Sequence, residues 1–319
     1  MDVEAPDFAH DGLPPGHRHP HPRSGADVDP NAPPRIGFVG AGPVGLTLGR
    51  AFDAAGWPVV AVASRNEDRR LAFRAAIPGS RAFPEAAGVL DEASIIFLTV
   101  PDDALAPLAA SLRLYSGQAI VHTSGALGLD VLAPALAAGT MAGSFHPLVA
   151  FADPDAALAA LRGATVAIEG DEAMTALLLE LTAAIGAQAV RIPAGAKPAY
   201  HAAAVLAAGG FVALLDAIAE LGRGAGLDEA GALAIYAPLV RQSLANAERL
   251  GIRAALTGPI ARGDVGTLRA HLAAMHQLAP GAIGLYVAAA RREIALAVDR
   301  GSLESGIAAE AASVLADEG

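Results

Sequence analysis

Cysteine is absent from the 319 residues, which excludes disulfides, thiolate nucleophiles and cysteine-bound zinc. Lysine is nearly absent. Lys197 is the only one, and every other member of the 22 basic residues is arginine. Positive charge is short overall: against 33 acidic residues the formal net charge is −11. A nucleic-acid partner would need a basic face, so the balance argues against one. Long apolar runs are missing as well. In the C-terminal half the longest, Ala202 to Leu215, is rich in alanine and glycine and too short to span a bilayer, so it is expected as a buried core helix. No basic segment leads into an apolar one at the N-terminus, so no signal peptide and no membrane partner are expected, and the composition suits a cytoplasmic enzyme. H-E-x-x-H, Walker-type and G-x-S-x-G patterns are lacking too. Metalloprotease, P-loop and α/β-hydrolase chemistry drop out, and no metal site is expected.

What is present is a chain that is 53% hydrophobic, long enough for two domains with sizeable cores. Residues 1 to 33 are rich in Pro, Asp, Gly and His and are expected as a disordered tail. His17, His19 and His21 alternate there, and no function is assigned to them.

The centre of the chain's organisation is Arg35 to Arg65. Ile36, Phe38 and Val39 form a short apolar strand that runs into Gly40-Ala41-Gly42-Pro43-Val44-Gly45, a G-x-G-x-x-G turn. Gly40 allows the tight turn, Gly42 lets the backbone approach a pyrophosphate, and Gly45 lets the next helix pack close to the strand. That helix, ending near Gly56, aims its free N–H groups and positive dipole end at the phosphates. A valine-rich second strand follows. About twenty residues beyond the last glycine, an NAD-binding chain usually places an acid on the ribose hydroxyls. Here Ser64-Arg65-Asn66 stand there, with Arg69 and Arg70 beyond. A guanidinium pairs with a 2′-phosphate that an acid would repel, so NADP(H) is the expected cofactor.

Farther on, Ser94 to Val100 reads as a strand buried on both faces, leading into Pro101. Ala119 to His122 is a strand with Thr123 and Ser124 at its carboxyl end. Met141 to Ser144 is another, leading into a Phe145-His146-Pro147 turn. Ligands of open parallel sheets bind outside the carboxyl ends of the strands, so Val100, Pro101, Thr123, Ser124 and His146 are delivered to one crevice. A further strand–helix–strand unit runs to Ile192. Beyond it only helical runs follow, at about 198–223, 228–250, 265–278, 280–299 and 302–316.

The expected architecture is therefore α/β: a doubly wound, mostly parallel dinucleotide-binding sheet over 34–194, then a smaller all-α domain over 195–319. The helical domain is too thin to enclose a substrate alone, and pairing into a homodimer is expected. Lys197 precedes Pro198 at a helix start, where the dipole disfavours its charge. His201 lies one turn on, on the same face. Either can donate the proton that hydride reduction of C=O or C=N requires. A solvated lysine and a core histidine are the alternative. His146 is read as orienting substrate or carrying a proton, or else as fixing its turn. Thr257, Gly258 and Arg262 lie in a polar, glycine-punctuated loop suited to gripping an anionic substrate.

Together Phe38–Gly45, Val100–Leu105, His122–Gly128, Ser144–Phe151, Lys197–Gly210 and Leu256–Asp264 resemble a Rossmann-like family whose C-terminal helical domain is catalogued as of unknown function. Its members are often labelled NADP-dependent oxidoreductase-like. The resemblance covers about residues 35–315. More distantly the chain is similar to pyrroline-5-carboxylate reductase, prephenate dehydrogenase and the hydroxyisobutyrate-type dehydrogenases. Those relatives imply a helical dimerisation domain and an active site in the cleft beside the dinucleotide domain. The Phe145-His146-Pro147 segment is similar to the His-Pro turn of prephenate dehydrogenases, and the Thr257–Arg262 loop to the reductases' substrate grip. One departure stands out: Ala208-Gly209-Gly210 replaces a Ser-Asn pair found in many relatives. The implied activity is NADP(H)-dependent hydride transfer to or from a small, carboxylate-bearing carbonyl or imine. The other reading is a catalytically idle NADP(H)-binding sensor or scaffold.

Overall fold

The computed structural model describes residues 33–318. The tail expected over residues 1 to 33, with its three alternating histidines, lies outside the described residues except for Pro33. The chain divides into two compact units between His201 and Ala202, inside a helical stretch rather than near Pro193–Gly195.

The first unit is built on one sheet of eight strands in the order β3-β2-β1-β4-β5-β6-β7-β8. The strands are β1 (Ile36–Val39), β2 (Val59–Ala63), β3 (Arg81–Phe83), β4 (Ile95–Leu98), β5 (Ala119–His122), β6 (Met141–Pro147), β7 (Thr165–Gly170) and β8 (Gln188–Arg191). All neighbours pair in parallel except β6 and β7, which are antiparallel. Residues 36–39, 95–98 and 119–122 are buried throughout, because helices cover both faces of a parallel sheet. One face packs Phe38, Phe52, Phe73, Phe97 and Phe145 into a single aromatic cluster. The strand order reverses between β1 and β4, and the crevice lies there, as the topology requires.

Two strand readings change. β3 falls in a stretch that the sequence presents as polar and proline-flanked; it forms by pairing with β2, from Ala61↔Arg81 to Ala63↔Phe83. His146 lies within β6, not in a turn after it. Antiparallel pairing of Phe145 with Ile168, His146 with Ala167 and Pro147 with Val166 prolongs the strand.

The second unit is helical. Its core gathers Leu268, Leu272, Met275, Val287, Ile294 and Leu315, from helices Val265–Leu278, Ile283–Asp299 and Ser305–Ala316. Helices Phe211–Gly224 and Glu229–Leu250 contribute little to it. The run from Ala202 to Leu215 is not a buried core helix: Leu206 is 72% and Val212 64% exposed, as are Leu239 (58%) and Leu244 (60%) on the next helix. Leu206–Gly210 within the run forms a π-helical turn. By length and composition alone the stretch Lys197–Gly224 would suffice to cross a membrane.

Candidate active site

The glycine turn is shaped by what surrounds it. Gly40 has φ +112, and a Cβ there would run into the Thr99 carbonyl, so only glycine fits. Thr99 Oγ1 donates to Gly40 O at 2.7 Å and holds the turn against β4. A Cβ on Gly45 would meet Gly40 O and Thr99 Oγ1, whereas one on Gly42 would meet nothing within 4 Å. The three glycines thus serve as hinge, opening and packing contact. Gly42 caps helix Pro43–Ala54 without a side-chain hydrogen bond, which leaves the first-turn N–H groups for an anion.

A cleft of about 1260 Å³ runs from this turn. Gly40, Ala41, Gly42, Pro43 and Val44 line it, as do Ser64 and Arg65, Val100 and Pro101, and Thr123 and Ser124. Of the expected coenzyme residues only Gly45 does not, because it faces the strand. Asn66 and Arg69 join the lining beside Arg65. Asn66 Oδ1 caps the next helix by accepting from Arg69 N at 2.9 Å, and Arg70 is turned back to the Ser64 carbonyl. The hydroxyls of Thr123 and Ser124 are partly committed: Thr123 donates to Leu98 O at 3.3 Å, and Ser124 Oγ accepts from Ala126 N and Leu127 N.

At one end His146, His201 and Gly125 line the cleft. His146 Nδ1 and Tyr200 Oη are 3.0 Å apart, with the rings edge to face. The His201 ring stands 5.7 Å from that of His146, and its Nδ1 is buried without a partner among the described residues. Gly125 makes this possible, since a Cβ there would press on His201 Nδ1 and sit 2.6 Å from His146 Nε2. Burial, then the charge of Lys197, then His201 pull the His146 pKa down to about 4, opposed by Asp102. His122, fully buried behind the site, is pulled down to about 3 by burial and Lys197. Burial pushes the Tyr200 phenol up to about 12. Both imidazoles are therefore neutral near pH 7.

Lys197 does not line the cleft. It is 1% exposed, and its ammonium donates to Ser124 O at 2.8 Å, to Leu127 O at 2.9 Å and to Ser144 Oγ. Glu169 Oε2 lies 3.3 Å away as an ion-pair partner. All three ammonium protons meet protein acceptors, and the proton-donor role suggested by the sequence would need the side chain to reach a cleft that it does not line. Its pKa is lowered chiefly by burial, with Glu169 opposing. Thr257, Gly258 and Arg262 belong to the second unit, and the cleft of the first is lined without them. Sequence reasoning passed over Tyr200, Gly125 and Thr99 as functional positions. Tyr200 adjoins His201 in the chain, but its partner His146 is 54 residues away, and no local pattern announces that.

Residues 20–147 match the model of a Rossmann-like domain, and residues 164–293 match that of the domain of unknown function DUF2520. The chain thus carries a Rossmann-like domain followed by a DUF2520 domain. The second match begins before the C-terminal helices, so β7, β8 and the Lys197–His201 turn lie inside it. No curated protein matches the chain. Among solved structures it is similar to a Bacteroides fragilis protein assigned as an NADP oxidoreductase (21% identity, 82% of this chain and 98% of that one, TM-score 0.68). It is also similar to an imine reductase from Pseudomonas sp. (19%, 88% and 99%, 0.62). A third neighbour is the 1-pyrroline-5-carboxylate reductase of Streptococcus pyogenes (16%, 84% and 98%, 0.59).

Proposed function

We propose that the protein is an NADP(H)-dependent oxidoreductase that moves a hydride to or from a small carbonyl or imine. The observation carrying this reading is that His146, its Nδ1 3.0 Å from Tyr200 Oη, lines the same cleft as a glycine turn whose middle glycine is open. The residues fit the coenzyme. Gly42 and the first turn of helix Pro43–Ala54 would receive the diphosphate, and Arg65 and Arg69 the 2′-phosphate. Bound NADPH supplies the hydride. The accompanying proton falls to this chain's own groups: His146, which lines the cleft, gives one from Nε2 to the substrate oxygen or nitrogen and takes the Tyr200 hydroxyl proton at Nδ1, and solvent water restores the phenol. A neutral imidazole can do this by exchanging tautomers. Reduction of imines is in keeping with the names of two neighbours. A carboxylate on the substrate rests on Thr257, Gly258 and Arg262 alone.

The exposed apolar surface on Phe211–Gly224 and Glu229–Leu250 fits burial against a second copy of the chain better than a bilayer. The wholly apolar part, Ala202–Leu215, spans only about 21 Å at the rise of a helix, short of a hydrocarbon core of about 30 Å. Lys197 is committed to the first unit, and Asp216 and Glu220 follow within the last turns. Leu206→Glu with Leu239→Glu is expected to reduce the mass read by light scattering from dimer to monomer. An unchanged wild-type monomer would remove the homodimer.

The idle-sensor reading is favoured by Ala208-Gly209-Gly210, where many relatives carry a polar pair. The deciding experiment is calorimetry with NADPH and NADH, followed by NADPH oxidation against cyclic imines, keto acids and amine–carbonyl pairs. Tight NADPH binding with turnover of any class supports the enzyme; binding without turnover supports the sensor; no binding sinks both. Arg65→Asp is expected to weaken NADPH at least ten-fold more than NADH. Equal losses would take the 2′-phosphate away from Arg65.

A further inference from the structure

We propose that Lys197 is a positioning residue: it clamps the Ser124–Leu127 loop onto the sheet so that Gly125 seats the rings of His146 and His201, and it stands behind them as a fixed positive charge. The inference rests on the proposed oxidoreductase reading and assigns the one buried lysine a part in it.

The geometry begins in the sheet. His122 of β5 is paired with Ser144 of β6, and Ser144 with Glu169 of β7. Paired residues share a face, so these three make a polar row across strands that are otherwise apolar. Lys197 closes the row. It takes the Ser144 hydroxyl and the Glu169 carboxylate from the strands, and the Ser124 and Leu127 carbonyls from the loop after β5. Two acceptor-only carbonyls and a carboxylate are what an ammonium, not an amine, satisfies. Glu169 Oε2, 3.3 Å from the ammonium, balances its charge.

Fixing the Ser124 and Leu127 carbonyls fixes Gly125 between them. Gly125 in turn has no room for a Cβ, because His201 Nδ1 and His146 Nε2 already occupy that space. The clamp therefore reaches both imidazoles through one glycine, and Tyr200, three residues along the same helix, closes on His146 Nδ1. The groups facing His146 are Lys197, Tyr200 and His201 from that helix, Asp102 from the helix after β4, and His122 from β5; Glu169 is paired with Lys197. Lys197 is the cation among them. A like charge opposes protonation of an imidazole, so it favours the neutral ring that a two-nitrogen relay needs. A buried ion pair contributes little net stability, which makes a positioning role the better account of so costly a group.

The test is nuclear magnetic resonance titration of the histidine side chains in the full chain without coenzyme, with His146→Asn used to assign the signal. Lys197→Met is expected to raise the His146 midpoint by about one pH unit or more, and Lys197→Arg to hold it within about half a unit. Because the lone methionine strands Glu169, Lys197→Met with Glu169→Gln keeps the charge balanced and repeats the measurement in a folded protein. A His146 midpoint unmoved in the double variant overturns the proposal. In turnover, Lys197→Met should lower kcat at least ten-fold with the NADPH dissociation constant within two-fold, and Lys197→Arg should restore most of it. Full kcat without Lys197, or loss confined to NADPH binding, also overturns it. The titration requires no substrate, so an inactive protein would sink the oxidoreductase reading and leave this result readable.

Discussion

Two histidine–tyrosine pairs of nearly the same geometry occur in the two units. His146 Nδ1 and Tyr200 Oη are 3.0 Å apart with rings at 85°; His271 Nδ1 and Tyr286 Oη are 2.8 Å apart with rings at 80°. The first stands at the end of a cleft, beside a second imidazole and backed by a buried ammonium. The second joins two helices, Val265–Leu278 and Ile283–Asp299, with His271 exposed. With His271 open to water, that hydrogen bond is worth little although Tyr286 is half-buried. In the first setting burial and neighbouring charge hold the imidazole neutral, and its ring lines a space a ligand can enter. The difference lies in the surroundings and not in the residues.

That contrast is breakable. The largest expected effect is on turnover: His146→Asn should lower kcat by roughly 10²-fold or more, as loss of a proton-transfer group does, while His271→Asn should leave it within two-fold. Steady-state kinetics on any substrate that oxidises NADPH decides this, and comparable losses would erase the distinction. Next comes stability. Tyr200→Phe strands a half-buried ring nitrogen and should cost about 1–2 kcal/mol, whereas Tyr286→Phe, whose partner His271 is exposed, should stay within about 0.5 kcal/mol; urea denaturation at neutral pH reads both. The smallest effect is on pH dependence. The folded-state pKa values of His122 and His146, about 3 and about 4, lie below the unfolded value of 6.5. The unfolded chain therefore binds protons first as pH falls. Stability from these groups is complete above about pH 6.5 and declines below it, until the folded pKa values are reached. Thermal melts from pH 7 to pH 5 should show a falling Tm, and His146→Asn should flatten the slope. A slope unaltered in that variant would mean His146 is not held neutral.

How much of this could be read beforehand depended on the range over which each feature is determined. The glycine turn was legible because its requirements are local: three glycines at fixed spacing between a strand and a helix. Ser94 to Val100 and the five C-terminal helical runs were legible for the same reason, since periodicity and capping residues act within a few positions. Tyr200 and Gly125 were not recognised as site residues, because each matters only through a partner more than a strand away in sequence. β3 escaped because its three residues become a strand only by pairing with β2. The division between units was placed ahead of Lys197, where the strand pattern stops. The structure divides after His201, because Lys197, Tyr200 and His201 are tied by side chains to the sheet.

The sequence alone determined that a dinucleotide-type turn opens this chain and that a guanidinium stands where an acid would select NAD, because both are properties of short contiguous segments. Tertiary structure decided what the single lysine does. At a helix start Lys197 reads equally as a proton donor or a solvated cation. Only folding brings Ser124, Leu127, Ser144 and Glu169 around it, which holds the ammonium behind the cleft, among acceptors that belong to the site's own frame.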